Sequence, residues 1–401
     1  MKISWIILMF FFTVFILSCK SSRDNQRCEE AWQEKIQGDW ERIFEKQTHL
    51  KRWIPPSNFR VLEGMTITKD SIDFYKGFFG SGFDSVTKKR TFIYLGNLVP
   101  YKVGKCRIII KNPLTKKWEV RWKFVGRNSD TLCLAINDSS VIRYHKINYN
   151  HDTSINFDQI VYSSSGCFGS CPILDISLDS RGNVFFHGEG YVEPLGIYAT
   201  KISESMTRYI FRKFNRANPL TLPNNYSIAT TDQQAIVTTF IKNKKVIKTI
   251  YDYGESGPKE LVWAYQSIRY IYSTAILNLL PRDEPFYPEL AFYTFKKGNR
   301  FLPLEKSQSF YLWTELVSAK RTNVQFQPKY QIVFRNNYTY FGPDPAKEKR
   351  DKNEIPSITS DGRFFNFKFI VDSSSSYDLG YNFIKRNFEE GNFKTLDDLQ
   401  N

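Results

Sequence analysis

The chain has 401 residues and a formal net charge of +15, with 41% hydrophobic and 16% aromatic residues. Its many aromatic and β-branched residues favour strand-rich globular structure over a disordered chain. A strongly basic chain could bind nucleic acid, but the secretion signal at its N-terminus argues against a nucleic-acid partner.

The N-terminal apolar run is typical of a secretory signal. Lys2 precedes the run, which covers fifteen positions from residue 3 to residue 17. That length is short of the roughly 20 residues that a membrane-spanning helix needs. Ser18 and Cys19 end the run with the spacing at which lipoprotein signal peptidases cleave. We therefore expect a signal peptide over residues 1–18.

Cleavage before Cys19 would make this cysteine the lipid attachment site of a bacterial lipoprotein. Two or more acyl chains anchor a protein stably, since each buried methylene contributes about 0.8 kcal/mol. Residues 19–27 would form a short tether, and Lys20, the second mature residue, favours sorting to the outer membrane. The alternative is an ordinary cleaved signal that happens to contain a cysteine. We expect contact with the outer membrane through the lipid on Cys19, on a periplasmic or surface face that the sequence leaves open.

The first module, residues 28–150, has the pattern of many short antiparallel strands, which indicates a small barrel or a sandwich. The segment 118–124 alternates apolar and charged residues, which predicts one buried and one exposed face. Gly38-Asp39-Trp40 opens this meander, and the combination resembles the lipocalin-like domains of secreted bacterial proteins. The resemblance implies a small β-barrel with Trp40 closing its floor. Such a barrel either holds one small ligand or is filled by its own side chains, and we favour a filled barrel.

Most of the positive charge lies in this first module. From residue 28 to residue 150 there are 22 Lys and Arg against 13 Asp and Glu. This surplus could draw the module toward anionic lipid head groups, lipopolysaccharide phosphates or acidic glycans. The basic residues alternate with apolar ones rather than forming runs, so we favour the simpler interpretation of a solubilising surface.

The second module, residues 154–280, carries the most distinctive motif. Residues 166–172 read Gly-Cys-Phe-Gly-Ser-Cys-Pro, followed by a strand, a Gly-containing turn and Gly-Tyr-Val. The motif resembles a Bacteroidota-associated domain family of unknown function, over about 120 residues that include Tyr251 to Gly254. The resemblance implies an identity for the module but no activity.

Two cysteines of this motif are candidates for a disulfide. Cys167 and Cys171 are separated by three residues, so they can meet across one tight turn at the roughly 5.5–6 Å between α-carbons that disulfides favour. The alternatives are a redox-active pair or a metal site that recruits His187 and Glu189. Redox motifs use Cys-x-x-Cys at a helix start, whereas a strand follows here. We therefore expect a structural disulfide and no metal.

Helical periodicity marks two segments of the second module. Ser203 is the predicted cap of a helix that ends before Pro219, and a second helix is predicted from Pro258 to the residue before Pro281. The third module, residues 287–401, contains a predicted helix over 305–319 among further strands. We therefore predict a strand-rich α+β protein, in which the lipocalin-like antiparallel barrel precedes two α+β modules with helices packed on antiparallel sheets.

The sequence contains no recognised catalytic constellation. Its four histidines are scattered without metal-ligand spacing, and there is no nucleophile elbow, phosphate loop or dinucleotide fingerprint. Asp175, Glu189 and Asp252 could converge, which leaves open a carboxylate-based hydrolase acting on an envelope glycan. Asp252 and its neighbour Tyr253 are candidates for a ligand-binding or a structural role before the helix at Pro258.

Together these observations predict a membrane-anchored envelope lipoprotein that acts as a non-enzymatic binding or assembly module. We expect it to recognise an envelope protein or glycan and to use no cofactor. The alternatives are the hydrolase and a small-ligand carrier that works through the lipocalin-like module.

Overall fold

The computed structural model describes residues 32–44, 62–83, 90–128, 130–149, 156–280, 285–335, 356–369 and 374–400. The predicted signal peptide, the tether and the lipid attachment site Cys19 lie outside the described residues. The chain divides after residue 150 into two compact units. Within the described part of the chain, no helix is long and apolar enough to cross a membrane. The predicted strand-rich α+β class is confirmed.

The first unit is a closed eight-stranded antiparallel barrel in which β8 pairs with β1. A helical turn at residues 32–35 precedes it. Alternate residues of the strands point inward and fill the barrel with a core that includes Trp40, Trp122 and Leu134. The strands are β1 Gly38–Arg42, β2 Gly64–Ile67, β3 Ser71–Phe83, β4 Arg90–Gly104, β5 Arg107–Lys111, β6 Trp118–Arg127, β7 Thr131–Asn137 and β8 Ser140–Ile147.

One part of the predicted alternation in β6 is wrong. Trp122 is buried as expected, but Trp118 and Val120 are exposed on the outside of the barrel. The reason is a bulge: Ile108 pairs with Trp122 while the next residue of β5 pairs with Val120, so Arg121 is an extra residue. An extra residue reverses the inward and outward phase of a strand, which turns the first apolar side chains of β6 to the surface.

The second unit begins with an eight-stranded sheet in the order β13-β15-β14-β9-β10-β11-β12-β16. Neighbouring strands are antiparallel except for the pair β13 and β15. The helices α1 and α2 cover one face of this sheet and share a core with it. The strands are β9 Gln159–Ser164, β10 Ile173–Asp179, β11 Asn183–Gly190, β12 Gly196–Lys201, β13 Asn225–Ser227, β14 Ala235–Lys242, β15 Lys245–Tyr253 and β16 Asn278–Leu279, and the helices are α1 Glu204–Arg216, α2 Lys259–Arg269 and α3 Ile271–Thr274.

The helix predicted to start at Ser203 is confirmed, with the Ser203 hydroxyl accepting a hydrogen bond at its N-terminus. The predicted helix from Pro258 to residue 280 is too long. It ends at Arg269, and the chain then forms the short α3 and returns to the sheet, where Leu279 pairs with Tyr198 of the edge strand β12. The chain leaves the helix and pairs with the edge strand β12, because backbone N–H and C=O groups at a sheet edge need hydrogen-bond partners.

A second sheet of seven strands, in the order β18-β17-β20-β21-β22-β23-β19, completes the second unit. Helix α4 packs against strands of both sheets, which explains why apolar side chains surround it on all sides. The strands are β17 Phe292–Lys297, β18 Arg300–Pro303, β19 Lys320–Arg321, β20 Tyr330–Arg335, β21 Ser357–Ser360, β22 Phe364–Lys368 and β23 Ser374–Asp378, and the helices are α4 Lys306–Val317, α5 Phe383–Asn387 and α6 Leu396–Gln400.

Candidate functional site

The loop between β9 and β10 is closed by a disulfide between Cys167 and Cys171, with the α-carbons 5.6 Å apart. Gly169 has a φ of 141°, a conformation that favours glycine, and this allows the turn inside the short ring. Phe168 is 73% exposed at the tip, and its backbone N–H donates to the carbonyl oxygen of Asp232 at 3.0 Å. The motif therefore holds an aromatic side chain outward on a covalently closed turn.

Hydrogen bonds fix both ends of this disulfide loop to the sheet. The Ser164 hydroxyl donates to the carbonyl oxygen of Pro172 at 2.8 Å. The side-chain amide of Gln234 donates to the carbonyl oxygens of Ser165 and Pro172, at 2.8 and 2.9 Å. Gln234, the residue before β14, thus connects the start and the end of the disulfide loop. These hydrogen bonds restrict the conformational freedom of the loop.

A second loop with exposed apolar side chains lies at the same end of the sheet. Gly166 and Gly190 both lie against the side chain of Ile173, so the disulfide loop and the loop after β11 are neighbours. The latter loop exposes Tyr191 and Leu195. We call residues 165–172 together with 191–195 the loop end of the sheet. It presents three large apolar side chains on loops attached to a rigid scaffold, which is where binding residues are commonly found.

Four charged or ionisable side chains meet inside the second unit, on the sheet face that α4 covers. Lys306, the first residue of α4, places Nζ 3.0 Å from Asp175 Oδ1 and 2.6 Å from Glu189 Oε2. His187 Nδ1 lies 3.1 Å from Asp175 Oδ2 and 3.7 Å from Glu189 Oε1. The Ser163 hydroxyl donates to Asp175 at 2.5 Å. We call the four residues Asp175, His187, Glu189 and Lys306 the charged cluster.

Aromatic rings and backbone seal the charged cluster. The side chains of all four members are at most 3% exposed. The Leu290 N–H donates to Glu189 Oε1 at 2.9 Å. The rings of Tyr287 and Phe310 lie 5.2 and 6.2 Å from the His187 ring, measured between centroids. A substrate would have to displace these groups to reach either carboxylate.

The neighbours of Asp175 determine the pKa of that carboxyl group. Burial by itself raises the pKa of Asp175, but the Lys306 ammonium, the His187 ring and the Ser163 hydroxyl together bring that pKa below its ordinary value. Burial raises the pKa of Tyr287 well above its ordinary range, and Asp175 and Glu189 add to this rise. The cluster therefore holds Asp175 as a carboxylate beside a neutral phenol.

Three members of the cluster have the donor types of a metal site. Ligand atoms of Asp175, His187 and Glu189 lie within 4.8 Å of one another. However, the Lys306 ammonium already lies in contact with both carboxylates, so a metal ion would have to displace a buried positive charge. The geometry agrees better with a structural network of ion pairs and hydrogen bonds than with an open metal centre.

Asp252 caps the turn that leads into α2. Its carboxylate accepts hydrogen bonds from the backbone N–H groups of Ser256 at 2.7 Å and Gly257 at 3.2 Å. Burial raises the pKa of Asp252, although these hydrogen bonds partly offset the rise. The neighbouring Tyr253 hydroxyl accepts from the Gln233 N–H at 3.0 Å. Both residues thus hold loops in place beside the loop end.

The structure brings Asp175 and Glu189 together but leaves Asp252 on the other face of the sheet. Asp252 of β15 lies in register with Ile236 of β14. Ile236 lies in register with Ser164 of β9, which lies in register with Leu174 of β10. Ile236 and Leu174 pack under α1 and α2. Asp175 follows Leu174 directly, and successive strand residues point to opposite faces. The three carboxylates therefore do not form one site.

In the barrel unit, Trp40 is fully buried and its indole N–H donates to the carbonyl oxygen of Ile36 at 2.7 Å. Trp40 therefore serves the barrel core, because its one polar atom is satisfied within the barrel unit itself.

Two cysteines of the barrel unit differ in state. Cys106 is disulfide-bonded, while Cys133 is a free thiol on β7.

Sequence reasoning missed Lys306. A lysine at the start of a predicted helix is usually solvated, and nothing nearby in the sequence marks it as buried. A usable signal was present in β11, where His187 and Glu189 follow the apolar run Val184 to Phe186 and are two residues apart. Two ionisable residues on one strand face require a partner when that face is covered.

Comparison with known proteins identifies residues 158–272 as a DUF6438 domain, a domain of unknown function. This domain contains the disulfide loop and three members of the charged cluster, while Lys306 follows it in the chain. No curated protein and no solved structure matches the chain significantly.

We expect Asp175→Asn to make the stability of the protein less sensitive to acid. A folded pKa below the unfolded value of about 3.9 means that Asp175 contributes stability above that pH and loses it as the pH falls through the folded pKa. At neutral pH the variant should lose roughly 1–3 kcal/mol, and below about pH 4 the difference from the parent should shrink. Urea unfolding across the acid range measures both effects.

The matched control for this variant is Asp232→Asn, an exposed aspartate in the same domain. Because its carboxylate is exposed, the variant should change the free energy of unfolding by no more than about 0.5 kcal/mol. If the free energies of unfolding of Asp175→Asn and the parent differed by the same amount throughout the acid range, the depressed pKa of Asp175 would be contradicted.

Proposed function

We propose that the protein is an outer-membrane lipoprotein of the Bacteroidota type that holds an envelope protein partner through the loop end of its DUF6438 domain. The signal run and the position of Cys19 support the lipid anchor. In this proposal the N-terminal barrel is lipocalin-like and serves as the module next to the tether. The role is binding or assembly, without catalysis.

The observation that carries the proposal is Phe168. A phenylalanine that is 73% exposed loses the free energy of burial, about 1.5–3 kcal/mol for a side chain of this size. Three interactions hold this side chain outward: the disulfide, the hydrogen bonds of the Gln234 side chain, and the backbone hydrogen bond from Phe168 to Asp232. A rigid exposed aromatic residue is the typical anchor of a protein interface, because little conformational entropy is lost when it binds.

The charged cluster supports a binding role over a hydrolytic one. A carboxylate hydrolase needs two carboxyl groups that reach the substrate. Asp175 and Glu189 are sealed under α4, and both contact the Lys306 ammonium. The side-chain core that fills the barrel unit likewise favours a scaffold over a small-ligand carrier.

We expect Phe168→Ser to weaken partner binding at least about tenfold, as truncation of a central aromatic anchor commonly does. Tagged full-length lipoprotein would be purified from gently solubilised envelopes, and the co-purifying proteins quantified by mass spectrometry. The parent should retain a stoichiometric companion that the variant loses.

The control variant is Ile276→Ser. Ile276 is 86% exposed in the same unit, but it adjoins Thr200 near the far end of β12, away from the loop end. It should retain the companion. Equal recovery from Phe168→Ser and the parent would refute the loop end as the binding surface, and a parent without any companion would count against an assembly role.

A further inference from the structure

The outer face of the barrel unit exposes large apolar side chains. Trp118 is 47% exposed and Val120 is 55% exposed, and Leu98 on β4 is exposed as well. The bulge at Arg121 is the cause, because it turns the first half of β6 outward while Trp122 stays in the core. A simple alternating strand would have buried these side chains, so their exposure is built into the strand.

The exposed apolar residues share one surface with lysines. Val120 lies in register with Ile109, which in turn lies in register with Lys102. Trp118 lies in register with Lys111, and Lys102 Nζ lies 4.8 Å from the centre of the Trp118 ring. We call this surface the Trp118 face, formed by Leu98, Lys102, Ile109, Lys111, Trp118 and Val120.

The strands that carry the Trp118 face are strongly basic. Residues 98–127, which run from Leu98 to the end of β6, contain nine Lys and Arg against one Glu and no Asp. Such a density of positive charge attracts an anionic surface, and each basic residue near an anionic membrane contributes about 1 kcal/mol. Charge and apolar side chains together form the pattern of a surface that lies in a membrane interface, where tryptophan is enriched and lysine reaches the head groups.

The lipid anchor would keep this face close to a membrane. Thirteen positions separate Cys19 from Trp32, where the described part of the barrel unit begins. Even a fully extended segment of that length spans only about 45 Å. A tethered barrel therefore experiences a high effective concentration of membrane surface, and a weak interfacial contact would be well populated.

We propose that the Trp118 face docks on the head groups of an anionic lipid bilayer, with Trp118 and Val120 entering the interface and the lysines contacting lipid phosphates. The docking rests on the proposed lipid anchor for its biological setting but not for its chemistry. An acidic glycan would contact the lysines and the Trp118 ring but leave Val120 and Leu98 in water, so a lipid surface accounts for more of the face.

The test uses the mature chain, residues 19–401, with Cys19→Ser so that no acyl chain is attached. Its co-sedimentation is measured with phosphatidylcholine vesicles with and without phosphatidylglycerol, at low and high salt. The parent should bind the anionic vesicles, less at high salt, and bind phosphatidylcholine alone weakly. Trp118→Glu and Val120→Glu should each lower the partition coefficient about tenfold or more.

The matched control is Val324→Glu, because Val324 is 52% exposed but lies in the second unit. It should bind like the parent, and thermal unfolding checks that every variant is folded. The proposal is overturned if anionic vesicles are not bound, if Trp118→Glu binds them like the parent, or if a sulfated glycan is bound while vesicles are not. None of these outcomes bears on acylation of Cys19, which the mass of the N-terminal peptide from native envelopes tests separately.

Discussion

Replacing Lys306 with methionine is expected to lower the free energy of unfolding by about 3–5 kcal/mol. Methionine keeps an unbranched side chain that is one atom shorter, but it removes the ammonium that contacts both Asp175 and Glu189. Both carboxylates would then be buried without a cation, apart from His187 when it is protonated. Urea denaturation of the purified protein at neutral pH measures the loss.

Lys244→Met is the control for this prediction. Lys244 also contacts a carboxylate, with Nζ 3.0 Å from Glu315 Oε2, but its side chain is 56% exposed. Solvent screens such a pair, so the control should lose no more than about 1 kcal/mol. If Lys306→Met cost as little as Lys244→Met, the charged cluster would not be a structural centre of the second unit.

The pH dependence of Lys306→Met gives a second readout. Without the ammonium, burial favours the protonated form of the carboxyl groups in the folded protein. Their folded pKa values would then exceed the unfolded values, so their penalty is present at neutral pH and disappears as the pH falls. The loss in free energy of unfolding relative to the parent should therefore be smaller at about pH 5 than at about pH 7. At about pH 7 carboxyl groups with ordinary pKa values are ionised. A simple loss of packing would give a difference that does not change with pH.

The second large effect is expected in the barrel unit, where Trp40→Ala should cost about 3–5 kcal/mol. The substitution removes a fully buried indole from the core and leaves a cavity that the surrounding strands cannot fill. It also removes the donor to the Ile36 carbonyl, which fixes the helical turn that precedes β1. Denaturant unfolding followed by far-ultraviolet circular dichroism measures the loss.

Trp118→Ala provides the comparison within the same unit. Trp118 is also a tryptophan of a barrel strand, but about half of its surface is exposed, so its truncation should change stability by no more than about 1 kcal/mol. Equal losses for the two variants would mean that Trp40 is not a central core residue. The same Trp118 variant should still unfold cooperatively, which separates a role in stability from the proposed role at a membrane.

The charged cluster and the loop end are connected through β10. Lys306 Nζ lies 3.3 Å from the carbonyl oxygen of Leu174, only three residues after Cys171. The cluster thus anchors the strand that begins at the disulfide loop. We infer that the helix α4, which lies outside the DUF6438 match, stabilises the base on which Phe168 is presented.

Several features could be predicted because they depend on local sequence. The cap at Ser203 and the helix over 305–319 follow from periodicity and capping residues, and α1 and α4 form there. The disulfide between Cys167 and Cys171 follows from a spacing that a single turn can close. Many short alternating strands with turns between them predict a barrel or a sandwich, and the resemblance to lipocalin-like domains favours the closed barrel that forms.

By itself, then, the sequence determined the class of the fold, the disulfide loop and the apolar N-terminal run, because each depends on residues that are near neighbours in the chain. Only the tertiary structure decided which charges meet and which apolar residues face water. Lys306 reaches Asp175 from 131 positions away, and one extra residue at Arg121 reverses the faces of β6. Contacts over such distances depend on how strands pair and how helices pack on them, and a local sequence pattern specifies neither.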